Sequence, residues 1–122
     1  MRESDYKRRL VADINHMAGG YAFRIEDRFA VGRLDLVLKY PDLPICFAEG
    51  KVINGNFFEP TPRQFVEGTM IIAAGLHVVL IGWKDGRMYL TDWQEKADMR
   101  TCSTFPNLKD MDALHKYLEA RQ

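Results

Sequence analysis

The chain has few of the residues that would classify it quickly. It has two cysteines, Cys46 and Cys102, with no paired spacing that would suit zinc or a disulfide scaffold, so a reducing compartment is expected. The three histidines, His16, His77 and His115, have no ligand spacing and are expected to be structural or exposed. Neither sign of charge is in excess, since 17 Lys and Arg oppose 17 Asp and Glu. Any argument for a polyanionic partner must therefore rest on where the charges lie. The charged N-terminus lacks the apolar core of a signal peptide. The apolar stretch Met70 to Ile81 is short and broken by Gly75 and His77. It reads as a helix running into a strand, not as a membrane span. No repeat, linker or low-complexity tract is visible. With 122 residues, 47% of them hydrophobic, the expectation is a single globular domain, 1–122.

Periodicity supplies the elements. Tyr6, Leu10, Ile14 and Met17 recur at helical spacing over 4–18, with Ser4 as a cap and Gly19-Gly20 as a stop. Tyr21, Phe23 and Ile25 alternate with polar or small neighbours, which predicts a half-buried strand with the two aromatics in the core. Strands follow at Leu34–Leu38 and Ile45–Val52, separated by the proline-flanked turn Tyr40–Pro44. Thr61-Pro62 opens a second helix, which ends near Gly75. Val78–Ile81 reads as a buried strand, and Asp85-Gly86 as a hairpin turn to Arg87–Leu90. Residues 94–107 read as irregular, and Asp110–Ala120 as a closing helix. This order predicts an α/β sandwich: a central mixed β-sheet flanked by helices, with a crossover from the third strand through the second helix.

The most informative feature is charge inside apolar runs. Asp35 lies within Leu34–Leu38, and Glu49 and Lys51 lie within Ile45–Val52. Burying an unpaired charge costs several kcal/mol, of order 3–5, so such residues need a reason. Glu49 and Lys51 share one face of a strand. Two converging acids suit a divalent cation, and a neighbouring lysine suits an anion or a water to be activated. The triplet alone carries little weight, because Asp5-Tyr6-Lys7 repeats it on a predicted helix. The strand setting carries the signal.

Here the chain resembles the PD-(D/E)XK nuclease superfamily, and within it the virus-type replication-repair nuclease (VRR-NUC) domains. The matching residues are Gly32-Arg33-Leu34-Asp35-Leu36, Glu49-Gly50-Lys51, Thr61-Pro62-Arg63-Gln64 and Gly75-Leu76-His77-Val78, with Glu3-Ser4-Asp5-Tyr6 opening the first helix. Leu34 departs from the proline usual before the aspartate. The resemblance implies a restriction-endonuclease-like sandwich. It implies that Asp35, Glu49, the Gly50 carbonyl and Glu3 hold Mg²⁺ or Mn²⁺. Lys51 would position or activate the attacking water. Gln64 would orient Lys51, the water or a phosphate, although Thr61-x-x-Gln64 is equally a capping box. Arg63, Lys7, Arg8 and Arg33 are the candidate DNA-backbone contacts, with Lys7 and Arg8 expected on a solvated helix face.

The implied activity is structure-selective DNA cleavage of the Holliday-junction resolvase kind. The implied partners are branched DNA, a four-way junction or a flap, and a second copy of the chain. The expected setting is the cytoplasm of a bacterial or phage-infected cell. A single-strand or flap exonuclease or nickase would use the same site. A non-catalytic DNA-binding module would have no need of Asp35, Glu49 and Lys51 together.

Overall fold

A six-stranded mixed sheet organises the computed structural model, which describes residues 2–25, 34–105, 116–117 and 119–120. The elements are α1 (Glu3–Asn15), β1 (Tyr21–Arg24), β2 (Leu36–Lys39), β3 (Cys46–Val52), β4 (Phe57–Phe58), α2 (Pro62–Ala73), β5 (His77–Lys84), β6 (Arg87–Asp92), β7 (Ala97–Asp98) and β8 (Ser103–Phe105). The order across the main sheet is β1-β2-β3-β5-β6-β8, and β4 pairs with β7 in a small second sheet. β3 and β5 run parallel, and the other neighbours in the main sheet are antiparallel. The parallel pair needs a crossover, and α2 supplies it. Asp85 and Gly86 both take positive φ, 52° and 76°, as the predicted hairpin between β5 and β6 requires.

Three local expectations change. α1 starts at Glu3, and Ser4 does not cap it. The Arg2 N–H donates to Asp5 Oδ2 at 3.2 Å, while Ser4 Oγ accepts from Arg24 Nη1. Tyr21 and Phe23 are not core, being 63% and 42% exposed. Ala22 turns inward instead, because the Asn15 side chain brackets it, donating to its carbonyl and accepting from its N–H. Residues 94–107 are not irregular throughout, since they include β7 and β8, and β8 pairs with β6 from Met88↔Phe105 to Leu90↔Ser103. Most of the predicted closing helix lies outside the described residues. Lys116, Tyr117 and Glu119 are helical, and Tyr117 is buried.

One core cluster joins α1 to the main sheet through Tyr6, Leu10, Ile14, Leu38, Ala48 and Trp83. A second joins Leu80 and Tyr89 to Ile53, Phe58 and Ala97. The register produces a notch. β2 and β3 pair from Leu38↔Cys46 only as far as Leu36↔Ala48. β3 and β5 continue to Val52↔Trp83. Glu49, Gly50, Lys51 and Val52 therefore have β5 on one side and no β2 partner on the other. Asp35 stands immediately before β2, at the same end.

Candidate active site

The notch brings the charges of two strands together with those of α1. Glu49 is 1% exposed and Asp35 is partly buried. The residue that reaches both is Lys7, which is only 4% exposed. Its Nζ donates to Asp35 Oδ2 at 2.5 Å and to Glu3 Oε2 at 3.2 Å, and lies 3.7 Å from Glu49 Oε1. Lys7 therefore does not share the solvated face of Arg8, whose exposed guanidinium pairs with Asp5 at 2.8 Å. A buried lysine tied to three carboxylates is not available to a DNA backbone. Asp5-Tyr6-Lys7, the helical triplet with the same spacing as Glu49-Gly50-Lys51, thus contributes its own lysine to the site.

Gly50 makes this approach possible. A Cβ there would sit 2.4 Å from the Trp83 ring and 3.3 Å from Lys7 Cε. Trp83 in turn stacks on Tyr6 with centroids 5.4 Å apart, which fixes the helix turn that carries Lys7. Lys51 lies on the same strand face as Glu49, with Nζ 3.5 Å from Glu49 Oε1. Its side chain is partly exposed, so it faces both the acid and solvent.

The electrostatics follow from burial. The Glu49 carboxyl is pushed up to about 7, first by burial and then by the Asp35 charge. Lys7, Lys51 and the Asp35 backbone N–H pull it the other way. For Lys7, burial works against the ammonium, yet the Asp35 hydrogen bond and the Asp35, Glu49 and Glu3 charges outweigh it and raise the pKa.

Among the described residues, two buried carboxylate oxygens, Asp35 Oδ1 and Glu49 Oε2, have no hydrogen-bond partner. Unsatisfied anionic oxygens facing a polar notch are the donor type that hard divalent cations take. Among the described residues, no group of three His, Cys, Asp or Glu side chains is arranged to hold a metal. Glu3 reaches the site but does not join Asp35 and Glu49 as a third ligand. Its Oε1 accepts from the Val52 N–H at 3.2 Å, and its Oε2 accepts from Lys7. The Val52 N–H lies past the end of the β2 pairing, so Glu3 satisfies a donor that β2 does not reach.

Gln64 closes the capping box of α2. The Thr61 N–H donates to its Oε1 at 2.9 Å, and its own N–H donates to Thr61 Oγ1 at 3.2 Å. Among the described residues, no hydrogen bond links Gln64 to Lys51. Arg63 is exposed at the start of α2, and Arg33 lies outside the described residues. Glu67 was not singled out from the sequence. Its Oε2 accepts from the Leu34 N–H at 3.1 Å, tying the segment that carries Asp35 to α2. Its spacing from Gln64, one helical turn, was the only available signal.

The mixed sheet with flanking helices is a restriction-endonuclease-like fold. A solved structure with this arrangement is that of Hjc from Archaeoglobus fulgidus, a Holliday junction resolvase from an archaeal hyperthermophile. The two superpose with a TM-score of 0.58 over 80% of this chain and 84% of that one, at 14% identity, a likeness of fold. No family model matches the chain, and no curated protein matches it in sequence.

Proposed function

We propose that this chain is a metal-dependent, structure-selective DNA endonuclease of the PD-(D/E)XK superfamily, of the virus-type replication-repair kind, cutting branched DNA as a homodimer. One observation carries the reading. Two carboxylates, buried Glu49 and partly buried Asp35, each with a buried oxygen that has no partner among the described residues, meet Lys7 and Lys51 at a sheet notch in a resolvase-like fold.

In this reading Asp35, Glu49 and the Gly50 carbonyl hold Mg²⁺ or Mn²⁺. Such an ion, when bound, polarises the scissile phosphate and acidifies a water. Lys51 Nζ, anchored by Glu49 and open to solvent, orients the attacking water and donates to phosphate oxygen as negative charge builds. Lys7 is a positioning residue that holds Asp35 and Glu49 together before the substrate arrives. Glu3 holds Lys7 and the Val52 edge. Gln64 acts through the start of α2. Exposed Arg63 and Arg8 take flanking phosphates, and Arg33 is assigned to them on sequence grounds. Among the described residues, no helix is long and apolar enough to cross a membrane.

The test is cleavage of linear duplex, single strand, flap and four-way junction, with Mg²⁺, Mn²⁺ or chelator, beside Lys51→Ala. Paired symmetric nicks in the junction, lost in chelator and in the variant, are expected. Cleavage that survives either change refutes the mechanism.

A further inference from the structure

Lys51 and Glu3 also line an open cavity of about 330 Å³ that runs from the notch to the β4–β7 sheet. Asn54, Phe57 and Lys96 share its wall. That volume far exceeds the ~10–15 Å³ needed for a single water. Building on the nuclease reading, we propose that this cavity receives one unpaired nucleotide next to the scissile phosphate. Its base stacks on Phe57, and its phosphate is met by Lys96.

The small β4–β7 sheet builds the site. Strand alternation sends Phe58 into the core beside Ala97, and leaves the neighbouring Phe57 42% exposed. The Phe57↔Asp98 pairing, the Asn54↔Phe57 bridge and the Met99 N–H to Asn56 carbonyl bond at 2.8 Å hold the backbone that carries the ring. An exposed aromatic carried on so fixed a backbone stands out, because rigidity adds nothing for a solvated residue. Lys96 Nζ lies 4.7 Å from the centre of the ring. Arg100 lies 6.0 Å from it, but Asp98 already neutralises that guanidinium through bonds of 2.7 and 2.9 Å. Lys96 has no carboxylate partner among the salt bridges of the described residues and sits over the Phe57 ring, so a base stacking there takes its place and turns the ammonium toward the phosphate.

An aromatic ring with a cation that no carboxylate holds is the pairing that binds single-stranded nucleic acid. A base inside a duplex already has both faces stacked, so Phe57 can reach only a base that is splayed out. Glu3 and Glu59 also line the cavity and disfavour a phosphate deep within it. The base therefore goes in, and the phosphates stay on the rim between Lys96 and Lys51. Asn54 offers both a donor and an acceptor to the base edge without demanding one base. This gives the enzyme a reason to prefer branch points, where bases unpair, over continuous duplex.

The experiment measures binding in EDTA, so that cleavage does not interfere. The probes are a four-way junction, a flap with 2-aminopurine at the first unpaired position, and a fully paired duplex of equal length. The variants are Phe57→Ala, Phe57→Leu, Phe57→Trp and Lys96→Ala, with circular dichroism reporting the fold of each. Phe57→Ala and Phe57→Leu are expected to lower the branched-to-duplex affinity ratio on the order of tenfold and to relieve 2-aminopurine quenching. Phe57→Trp is expected to retain both. Phe57→Leu keeps an apolar side chain without the ring, so it answers the question even if the alanine variant unfolds. An unchanged ratio in a folded Phe57→Leu protein overturns the proposal, as does equal weakening on all three probes. Metal-dependent cleavage by the wild type is scored separately. If cleavage persists and the ratio ignores Phe57, the subsite alone fails. If the ratio depends on Phe57 but no metal supports cleavage, the subsite stands and the nuclease reading fails.

Discussion

Replacing Lys7 with methionine isolates the least expected part of the site. Methionine keeps most of the stem over Gly50 and removes the ammonium from Asp35, Glu3 and Glu49. Removing one partner of a buried ion pair costs about 3–5 kcal/mol, because the remaining charge is left uncompensated. Glu49 can escape part of this cost by taking up a proton. Its pKa is already pushed up to about 7, by burial first and the Asp35 charge second, and losing Lys7 removes one of the influences that lower it. A carboxyl whose native pKa is raised contributes stability that is complete below its unfolded value. That stability is lost as pH rises through the native value. At pH 5 Glu49 is protonated with or without Lys7, and the penalty is mainly the lost charge-assisted bond to Asp35, about 1.5–3 kcal/mol. At pH 8 it approaches the full 3–5 kcal/mol. Urea denaturation in EDTA at the two pH values measures the difference. A penalty that is equal at pH 5 and pH 8, or below about 1 kcal/mol at both, refutes the claim that Lys7 holds these acids together. Adding Mn²⁺ is expected to recover much of the pH 8 loss, since the ion would compensate the same two carboxylates.

Gly50→Ala is expected to destabilise the protein by about 1–3 kcal/mol and to perturb the near-ultraviolet signal of Trp83, because the new Cβ meets that ring at 2.4 Å. Guanidinium denaturation with near-ultraviolet dichroism checks this. Glu49→Gln is expected to abolish metal binding by calorimetry and cleavage together, while raising metal-free stability above pH 7, where the native carboxyl carries an uncomfortable charge. Loss of cleavage with metal affinity intact would overturn the ligand assignment. The outer face of α2 exposes Val66 and Met70, which a second copy of the chain would cover. Met70→Glu is expected to shift the light-scattering mass toward the monomer, and an unchanged dimer mass would exclude that face.

Local pattern and turn chemistry were legible in advance. The Thr61-Pro62 helix start, the Asp85-Gly86 hairpin and the strand carrying Glu49 and Lys51 all lie where short-range rules put them. Tyr21 and Phe23 misled, because alternation identifies two faces but not which one is buried. The side chain of Asn15, six residues before Tyr21, settles that by bracketing Ala22. β8 was missed because Ser103–Phe105 has little pattern of its own and becomes a strand only against β6.

The candidate site divides in the same way. Charge inside an apolar strand is a one-dimensional fact, so Asp35, Glu49 and Lys51 stood out from the residues alone, as did the plan of a mixed sheet with a helical crossover. Lys7 did not stand out. In sequence it is one of three successive basic residues on a helix, and nothing local separates it from Arg8 and Arg9. Only the tertiary structure distinguishes them. β2 stops pairing at Leu36, Gly50 leaves room for a side chain, and Tyr6 stacked on Trp83 aims the helix turn into that room. Glu3 and Glu67 acquire their partners by the same long-range route. Backbone preference is set by near neighbours. Which buried charge meets which is set by packing between segments far apart in the chain.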